Sequence, residues 1–283
     1  MNETNSAGSG FEHLIIKPSP DERNTLSFSK ETLQAATRLM AEDGVLVLAD
    51  VIDVQAVHNA RKEFFAKYWT MPSGDDAPAR FGQAVGHRRS MVALDFSGAM
   101  GNHRIFASPF CKSILSDLLG PQFVIAGYLA VCSLPGARAQ RVHRDHPLLF
   151  PKDPTASYSL PPYCLTLVIP LVDVDLTNGV TATWPGSHKG DSALSAGASP
   201  DRAFCPTVKI GSAYLMDYRL QHCGLANMSD QPRPIITLNF SRGWFIDHAN
   251  MQPRPKISAH DLSSIPDEHR HLFAQISYLH PPG

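Results

Sequence analysis

Residues 212–224 read SAYLMDYRLQHCG, and residues 233–245 read RPIITLNFSRGWF. Both runs alternate between apolar and polar positions and contain β-branched and aromatic residues, which is typical of strands with one buried face. Strict alternation would put these side chains of the first run on one face: Tyr214, Met216, Tyr218, Leu220 and His222. In the second run, alternation would put another four side chains on a shared face if no bulge intervenes: Arg233, Ile235, Thr237 and Asn239. The first run therefore predicts one strand with His222 at the end of a largely apolar inward row.

Three further strand-like runs follow Gly120, at residues 123–134, 164–174 and 179–184. Turn-forming stretches such as PGAR, PKDP and NMSDQPRP separate the five runs. Several short strands at modest spacing indicate a barrel or a double-sheet jelly roll. The sequence therefore predicts a mainly β fold.

Two helices are predicted before these strands. Ser29 is a suitable N-cap for a helix that Gly44 ends, and a short apolar strand at residues 45–48 follows. Asp53 can cap a second helix with one apolar side. We expect both helices to pack against the β core.

The remaining segments carry weaker signals. Residues 71–104 show no clear periodicity and are predicted to form a loop and a pocket wall, whereas residues 259–276 look helical in part. Residues 1–12 are predicted to be a disordered tail, and residues 13–283 a single domain. No internal repeat is visible.

The composition and charge of the chain indicate which kinds of partner it is expected to bind. The chain has 283 residues, with 25 basic and 26 acidic side chains and no basic run interleaved with aromatics, so no nucleic-acid partner is expected. It lacks both a long apolar segment and the layout of a signal peptide, which predicts a cytoplasmic protein without a membrane partner. Its five cysteines are widely spaced and fit reduced thiols. A small-molecule partner is the expectation that remains.

The stretch QRVHRDH, at residues 140–146, offers a metal-binding pair. His143 and Asp145 are two residues apart, so on a strand they would point to the same side. An imidazole and a carboxylate suit iron(II), and His222 would complete a facial triad that leaves open coordination positions. Taken alone, the pair also fits a surface salt bridge or a helix cap.

Arg233 provides a second functional candidate, because it follows His222 by eleven residues. A planar guanidinium can bind a carboxylate through two hydrogen bonds. An antiparallel turn between the two runs would bring Arg233 beside His222. This predicts a carboxylate anchor within one small molecule's length of the metal.

With these motifs, the chain resembles the phytanoyl-CoA dioxygenase family of iron(II) and 2-oxoglutarate oxygenases. The resemblance runs from EDGVLVLADVID through QRVHRDH and NGVTATWPGSHKG to HCGLANMSDQPRPIITLNFSRGW. It implies a cupin-like, double-stranded β-helix (jelly-roll) core flanked by N-terminal helices. It also implies Fe(2+), with 2-oxoglutarate and O₂ as co-substrates. The family's metal ligands fall on His143, Asp145 and His222, and its 2-oxoglutarate arginine falls on Arg233.

Two more co-substrate contacts follow from the resemblance alone. Gln140 stands three residues before the first ligand, and Thr181 belongs to the family's N-G-x-T element. Spacing by itself would favour a solvated strand residue for Gln140 and an ordinary strand residue for Thr181.

In layout the chain is most similar to family members that tailor natural products, such as meroterpenoid or indole-alkaloid dioxygenases. This implies a small, largely apolar organic substrate that is hydroxylated, desaturated or rearranged, and it suggests a homodimer. The substrate pocket is expected around Tyr128, near the C-terminal segment and in residues 71–104. His87, Arg88, Arg89 and Met91 are either pocket residues or solvated loop residues.

Other functions remain open. A related halogenase would lack the carboxylate of Asp145, and an enzyme independent of 2-oxoglutarate would not need Arg233. An oxygenase of an acyl-CoA or amino-acid substrate is an alternative within the family. A jelly-roll binding module that merely retains the triad is the alternative outside enzymes.

Overall fold

The computed structural model describes residues 10–69, 82–190, 202–250 and 257–279. The strands in these ranges are β1 (Ile15–Ile16), β2 (Val45–Leu48), β3 (Gln83–Ala84), β4 (Arg89–Ala93), β5 (Val124–Ser133), β6 (Cys164–Pro170), β7 (Thr181–Thr183), β8 (Ala213–Asp217), β9 (His222–Gly224) and β10 (Arg233–Ser241). Eight of them form one sheet in the order β1-β2-β8-β6-β10-β5-β4-β3, and β7 pairs with β9 in a second sheet. Apart from the parallel pair β1 and β2, the pairings are antiparallel. This two-sheet arrangement confirms the predicted mainly β fold.

The helices of the described ranges are α1 (Pro20–Thr25), α2 (Lys30–Glu42), α3 (Val54–Glu63), α4 (His103–Phe106), α5 (Pro109–Leu119), α6 (Pro154–Ser159), α7 (Ala259–Ser264), α8 (Asp267–Arg270) and α9 (Ala274–Leu279). The two predicted caps are confirmed. Ser29 Oγ accepts from Thr32 N at 3.1 Å, and Asp53 Oδ1 accepts from Ala56 N at 2.7 Å. None of the helices in this part of the chain is long and apolar enough to cross a membrane.

Alternation along β10 separates the core from the pocket. Ile236 and Leu238 are fully buried and belong to the same hydrophobic cluster as Ala36 and Met40 of α2. The intervening positions, Arg233, Ile235, Thr237 and Asn239, line a pocket on the other face of the sheet. The register shift against β5 comes only after Asn239, so the predicted inward row of β10 is confirmed. The helices thus cover one face of the large sheet and leave the other to the pocket.

The predicted single strand at 212–223 is wrong, because a turn divides it into β8 and β9. Leu220 N donates to Asp217 O at 2.9 Å, and the Arg219 guanidinium donates to both Asp217 carboxylate oxygens at 2.8 Å. Both charged groups are 3% exposed, and burial of such a pair requires this close mutual bonding. The turn lets His222 leave the large sheet and join the small one.

The prediction of a loop at 71–104 is also wrong in part. Strands β3 and β4 extend the large sheet at its edge, and α4 begins at His103. Residues 70–81 lie outside the described residues, as do residues 1–9 of the predicted tail. All five cysteines are free thiols, as expected.

Candidate active site

Three side chains with metal-binding atoms converge at the edge of the small sheet. His143, Asp145 and His222 each offer one donor atom, and the three atoms lie within 4.8 Å of one another. The main chains of the two histidines form an isolated antiparallel bridge, with N–H···O distances of 2.9 and 3.0 Å. The segment QRVHRDH is therefore extended at His143 rather than part of a strand, yet it brings the predicted pair to one point.

Both imidazoles are oriented by main-chain carbonyls. His143 Nδ1 lies 2.9 Å from Arg141 O, and His222 Nδ1 lies 3.0 Å from Leu220 O. Because a carbonyl can only accept, Nδ1 carries the proton in the neutral form of each ring, and Nε2 then has the lone pair. This arrangement leaves Nε2 of both rings suited to bind a metal.

The charge states of these three side chains favour the binding of a cation. Burial and the neighbouring His222 lower the pKa of His143, so that its imidazole is neutral near pH 7. Desolvation opposes ionisation of Asp145, but His222 and the hydrogen bonds to the carboxylate outweigh it and lower the pKa of Asp145. The ionised carboxylate lies 3.3 Å from His222 Nε2 and raises the pKa of that imidazole despite its burial. Two nitrogens and one anionic oxygen are a donor set that fits iron(II).

The three residues line a pocket that extends over the inner face of the large sheet. Apolar side chains form much of its wall: Val85, Met91, Leu129, Val131, Val168, Met216 and Ile235. Asp247 and Asn250 line it from the C-terminal side. The pocket was expected around Tyr128, and the neighbouring Gly127 and Leu129 do line it, whereas the Tyr128 side chain itself points into the helical core and its hydroxyl donates to Met100 O at 2.9 Å.

Arg233 lies in this pocket with its guanidinium buried. The residue is 1% exposed, and its Nε and Nη2 have no hydrogen-bond partner within the described part of the chain. Burial lowers its pKa. An unpaired buried cation is costly, so the group is suited to a ligand that brings negative charge. The predicted hairpin between the His222 and Arg233 runs is wrong, since β10 pairs with β5 and β6 while β9 pairs with β7.

Gln140 and Thr181 also line the pocket. Gln140 Nε2 donates to Val85 O at 3.0 Å, and its Oε1 accepts from Gly224 N at 2.9 Å. Thr181 is 8% exposed, and its hydroxyl oxygen accepts from Tyr214 Oη at 2.7 Å. Because Tyr214 is the donor in that bond, the proton of Thr181 remains available for another acceptor.

Arg89 is a pocket residue for which the sequence left both interpretations open. It is 3% exposed, and its Nη2 donates to Leu225 O at 2.9 Å. Burial and the nearby charge of Arg233 lower the pKa of Arg89 to about 10. The run GHRRS contains too little alternation to reveal strand β4, which is why sequence reasoning could not assign this residue. Met91 lines the pocket as well, whereas Arg88 donates to Pro135 O at 2.7 Å.

Residues 40–235 match the phytanoyl-CoA dioxygenase (PhyH) family. The chain belongs to this family. The protein is accordingly an Fe(II)- and 2-oxoglutarate-dependent dioxygenase. The matched segment contains all six predicted site residues.

Two fungal relatives are similar over most of their length. Dioxygenase cdmA of Talaromyces verruculosus is 27% identical over 209 residues, which cover 71% of this chain and 69% of the relative. Dioxygenase trt7 of Aspergillus terreus is 27% identical over 203 residues, covering 70% and 69% respectively.

A solved structure shares the fold. HygX from Streptomyces hygroscopicus, with nickel, 2-oxoglutarate and hygromycin B bound, superposes with a TM-score of 0.55 at 15% identity. The superposition covers 81% of this chain and 96% of HygX. It confirms the jelly-roll fold that the resemblance implies.

Proposed function

We propose that His143, Asp145 and His222 hold the iron(II), and that Arg233 binds the distal carboxylate of 2-oxoglutarate. The observation that carries this proposal is the buried guanidinium of Arg233, whose Nε and Nη2 lack partners among the described residues of the pocket that also holds the triad. A carboxylate fits these two donors in a planar, bidentate pair. Such a ligand would neutralise the charge that burial makes costly.

Gln140 and Thr181 are proposed as further contacts of the co-substrate. The carboxamide of Gln140 has a second N–H beyond the one that bonds to Val85 O. Tyr214 assists, because burial raises its pKa to about 12 and keeps it a donor to Thr181. The Thr181 hydroxyl can therefore donate a hydrogen bond to a carboxylate oxygen. We propose that Arg89 adds a second positive charge to the same end of the pocket.

Bound iron(II) and 2-oxoglutarate supply the oxidation, in which O₂ and 2-oxoglutarate are consumed and succinate and CO₂ are formed. The protein contributes the geometry of the three ligands, the positive charge of Arg233 and a pocket wall that keeps bulk water away from the metal. No side chain has to act as a nucleophile. The carboxylate of Asp145 supports oxidation rather than halogenation, because as a ligand of the iron it would fill a position that a halide would need.

The substrate is proposed to be a small, largely apolar organic molecule in natural-product biosynthesis. Apolar side chains, including Leu129, Val131 and Met216, form much of the pocket wall. The structural neighbour HygX binds hygromycin B, a small molecule, together with 2-oxoglutarate. Hydroxylation, desaturation and rearrangement are all consistent with this pocket. A homodimer, a cytoplasmic location and a single domain over residues 13–283 stay predictions.

The direct test measures succinate with the iron-loaded protein. Anaerobically loaded enzyme is supplied with 2-oxoglutarate, O₂, chloride and a panel of terpenoids, alkaloids, amino acids and acyl thioesters. We expect substrate-dependent succinate release and a product that gains one oxygen atom or loses two hydrogens. A chlorinated main product, or turnover without 2-oxoglutarate, would contradict the proposal.

Arg233 variants test the co-substrate assignment. Arg233→Lys should raise the Michaelis constant for 2-oxoglutarate, and Arg233→Ala should raise it further, because lysine supplies a point charge without the planar pair of donors. Arg242→Lys is the matched control. Its guanidinium donates to Pro162 O and Leu118 O at 2.8 and 2.9 Å, outside the pocket lining. An unchanged constant in Arg233→Ala would reject the assignment.

A further inference from the structure

Thr166 on β6 contacts one oxygen of the Asp145 carboxylate. Its Oγ1 lies 3.0 Å from Asp145 Oδ2 and 3.2 Å from Asn239 Oδ1 on the neighbouring strand β10. Thr166 and Asn239 are direct register partners, and both line the pocket. The other oxygen of Asp145, Oδ1, faces His222 Nε2 at 3.3 Å. The two carboxylate oxygens therefore have different surroundings.

The hydroxyl of Thr166 has one proton and cannot donate to both oxygen neighbours. The ionised carboxylate is the stronger acceptor, since hydrogen bonds to charged groups are about twice as strong as neutral ones. In the structure Asn239 Oδ1 faces Thr166, and a half-turn of the amide would place Nδ2 there instead, where it would donate to the hydroxyl oxygen. Asn239 would then donate to Thr166, and Thr166 would donate to Asp145.

Gly127 on β5 provides the space for this chain of hydrogen bonds. It is the register partner of Asn239 on the side of β10 away from Thr166. A Cβ at Gly127 would come within 3.0 Å of the amide atom of Asn239 that faces away from Thr166, and 3.4 Å of Asn239 Cβ. Because such contacts are too close for an undisturbed side chain, Gly127 lets Asn239 lie flat against the sheet.

The main chain of Asp145 is held separately. Asn250 Nδ2 donates to Asp145 O at 2.8 Å and to Asp247 Oδ2 at 2.6 Å. Tyr218 Oη donates to that same Asp247 oxygen at 2.7 Å. Because Asn250 holds the main chain of Asp145, the movement that remains to this residue is rotation of its carboxylate. Thr166 is placed to restrict that rotation.

We propose that Thr166, oriented by Asn239, is a positioning residue that fixes the rotation of the Asp145 carboxylate, so that Oδ1 alone binds the metal and Oδ2 is held away. This inference rests on the proposed function, because it takes Asp145 as a metal ligand. A carboxylate that binds through one oxygen occupies one coordination position and leaves the others for 2-oxoglutarate and O₂. Hydrogen bonds to a ligating carboxylate tune metal affinity in this way.

The test compares metal binding by the wild type, Thr166→Val and Thr166→Ser. Valine keeps the shape of threonine without the hydroxyl, whereas serine keeps the hydroxyl. We expect Thr166→Val to weaken binding of Co(II), used as the probe metal, by about 10- to 100-fold, and Thr166→Ser to stay within a few fold of the wild type. The visible absorption of bound Co(II) should also shift in Thr166→Val, because a second carboxylate oxygen then approaches the metal.

Asn239→Leu tests the contribution of Asn239. Leucine has almost the same shape but neither donates nor accepts, so the Thr166 hydroxyl would lose the amide that orients it. We expect weaker Co(II) binding in Asn239→Leu, and a double variant with Thr166→Val that is little worse than Thr166→Val alone. Additive losses would contradict a shared chain.

Ser108→Ala serves as the control for general loss of stability. It removes a buried hydroxyl that donates to Val51 O at 2.6 Å, outside the pocket lining. Its Co(II) affinity should equal that of the wild type, and thermal unfolding of the metal-free proteins shows whether each variant is folded. Equal Co(II) affinity and equal spectra in a folded Thr166→Val would overturn the inference. If the wild type itself failed to bind Co(II), the proposed function would fail instead.

Discussion

Arg89 on β4 and Arg233 on β10 lie on either side of Ser133, because both residues pair with this position of β5 in register. Both guanidinium groups are buried, and the pKa of Arg89 falls to about 10 through burial and the charge of Arg233. The two like charges repel each other and disfavour the ligand-free state. If Arg233 binds the distal carboxylate of 2-oxoglutarate as proposed, that anion would relieve the repulsion.

Removal of the Arg89 charge should weaken co-substrate binding. Hydrogen bonds to charged groups contribute about 1.5–3 kcal/mol, so Arg89→Met should lower the affinity for 2-oxoglutarate by about 10- to 100-fold. The measurement is anaerobic titration of the iron-loaded protein with 2-oxoglutarate. Arg242→Met is the control, and its affinity should match the wild type. An Arg89→Met protein with wild-type affinity would exclude a contribution from this charge.

Spacing and residue types predicted that His143, Asp145 and His222 would come together with Arg233 nearby, and the structure places all four side chains in one pocket, while their roles stay predictions. Alternation in β10 also predicted its inward row correctly up to Asn239. Alternation failed at 212–223, since the polar residues Asp217 and Arg219 look like ordinary outward positions of a strand. Their buried ion pair instead forms a turn, which only tertiary contacts could reveal.

Arg89 and Thr166 show a second reason why the sequence alone could not predict the whole site. Arg89 stands in a polar run that resembles a solvated loop, and its burial follows from the pairing of β4 with β5 across a long sequence separation. Thr166 is a common strand residue, and its contacts with Asp145 and with Asn239 of β10 arise only when segments distant in sequence come together. Contacts of this kind depend on strand order, which local patterns do not specify.

The two histidines proposed as metal ligands should be indispensable. His143→Ala or His222→Ala leaves two donors, so both variants should lose turnover and retain much less than one iron per chain after desalting. Iron content by absorption of a chelate complex, measured beside succinate release, checks this expectation. His58→Ala, on the exposed side of α3, is the control and should bind iron normally. Wild-type activity in either ligand variant would show that the metal assignment is wrong.

Glu22 should stabilise the N-terminal segment in a pH-dependent manner. Burial opposes its ionisation, but the main-chain N–H groups of Ser19 and Ser29 donate to it at 2.8 and 2.7 Å and lower its pKa from 4.5 to about 2. A lowered carboxyl pKa stabilises the fold above the unfolded value of 4.5, and this stabilisation is lost as the pH falls toward 2.

Glu22→Gln should therefore lower the free energy of unfolding by about 1–3 kcal/mol at pH 7, and the difference should shrink below about pH 4. Urea denaturation at both pH values measures the change. Glu31→Gln, at an exposed position in the first turn of α2, should differ from the wild type by only a few tenths of a kcal/mol at either pH. A constant difference across the range would exclude the ionised form as the cause.

Gly224 should be the position where a single added methyl group disturbs the part of the pocket lined by Arg89 and Gln140. Its main chain bonds twice with Gln140, through Gly224 N to Oε1 and through Gln140 N to Gly224 O, both at 2.9 Å. A Cβ at Gly224 would collide with Arg89 Nη1 and lie 2.8 Å from Gln140 Oε1. Both neighbours face the pocket, so at least one of them must move if alanine is introduced.

Gly224→Ala should lower the free energy of unfolding by about 1–3 kcal/mol through overpacking and should weaken 2-oxoglutarate binding more than Co(II) binding. Gly243→Ala is the matched control, because the nearest atom to a Cβ there is Gln122 O at 3.8 Å. The double variant Gly224→Ala with Arg89→Met separates the two neighbours. If the clash with the guanidinium dominates, the double variant should recover stability relative to Gly224→Ala while its 2-oxoglutarate affinity stays low. If stability does not recover, the loss of stability in Gly224→Ala is caused by displacement of Gln140 rather than of Arg89.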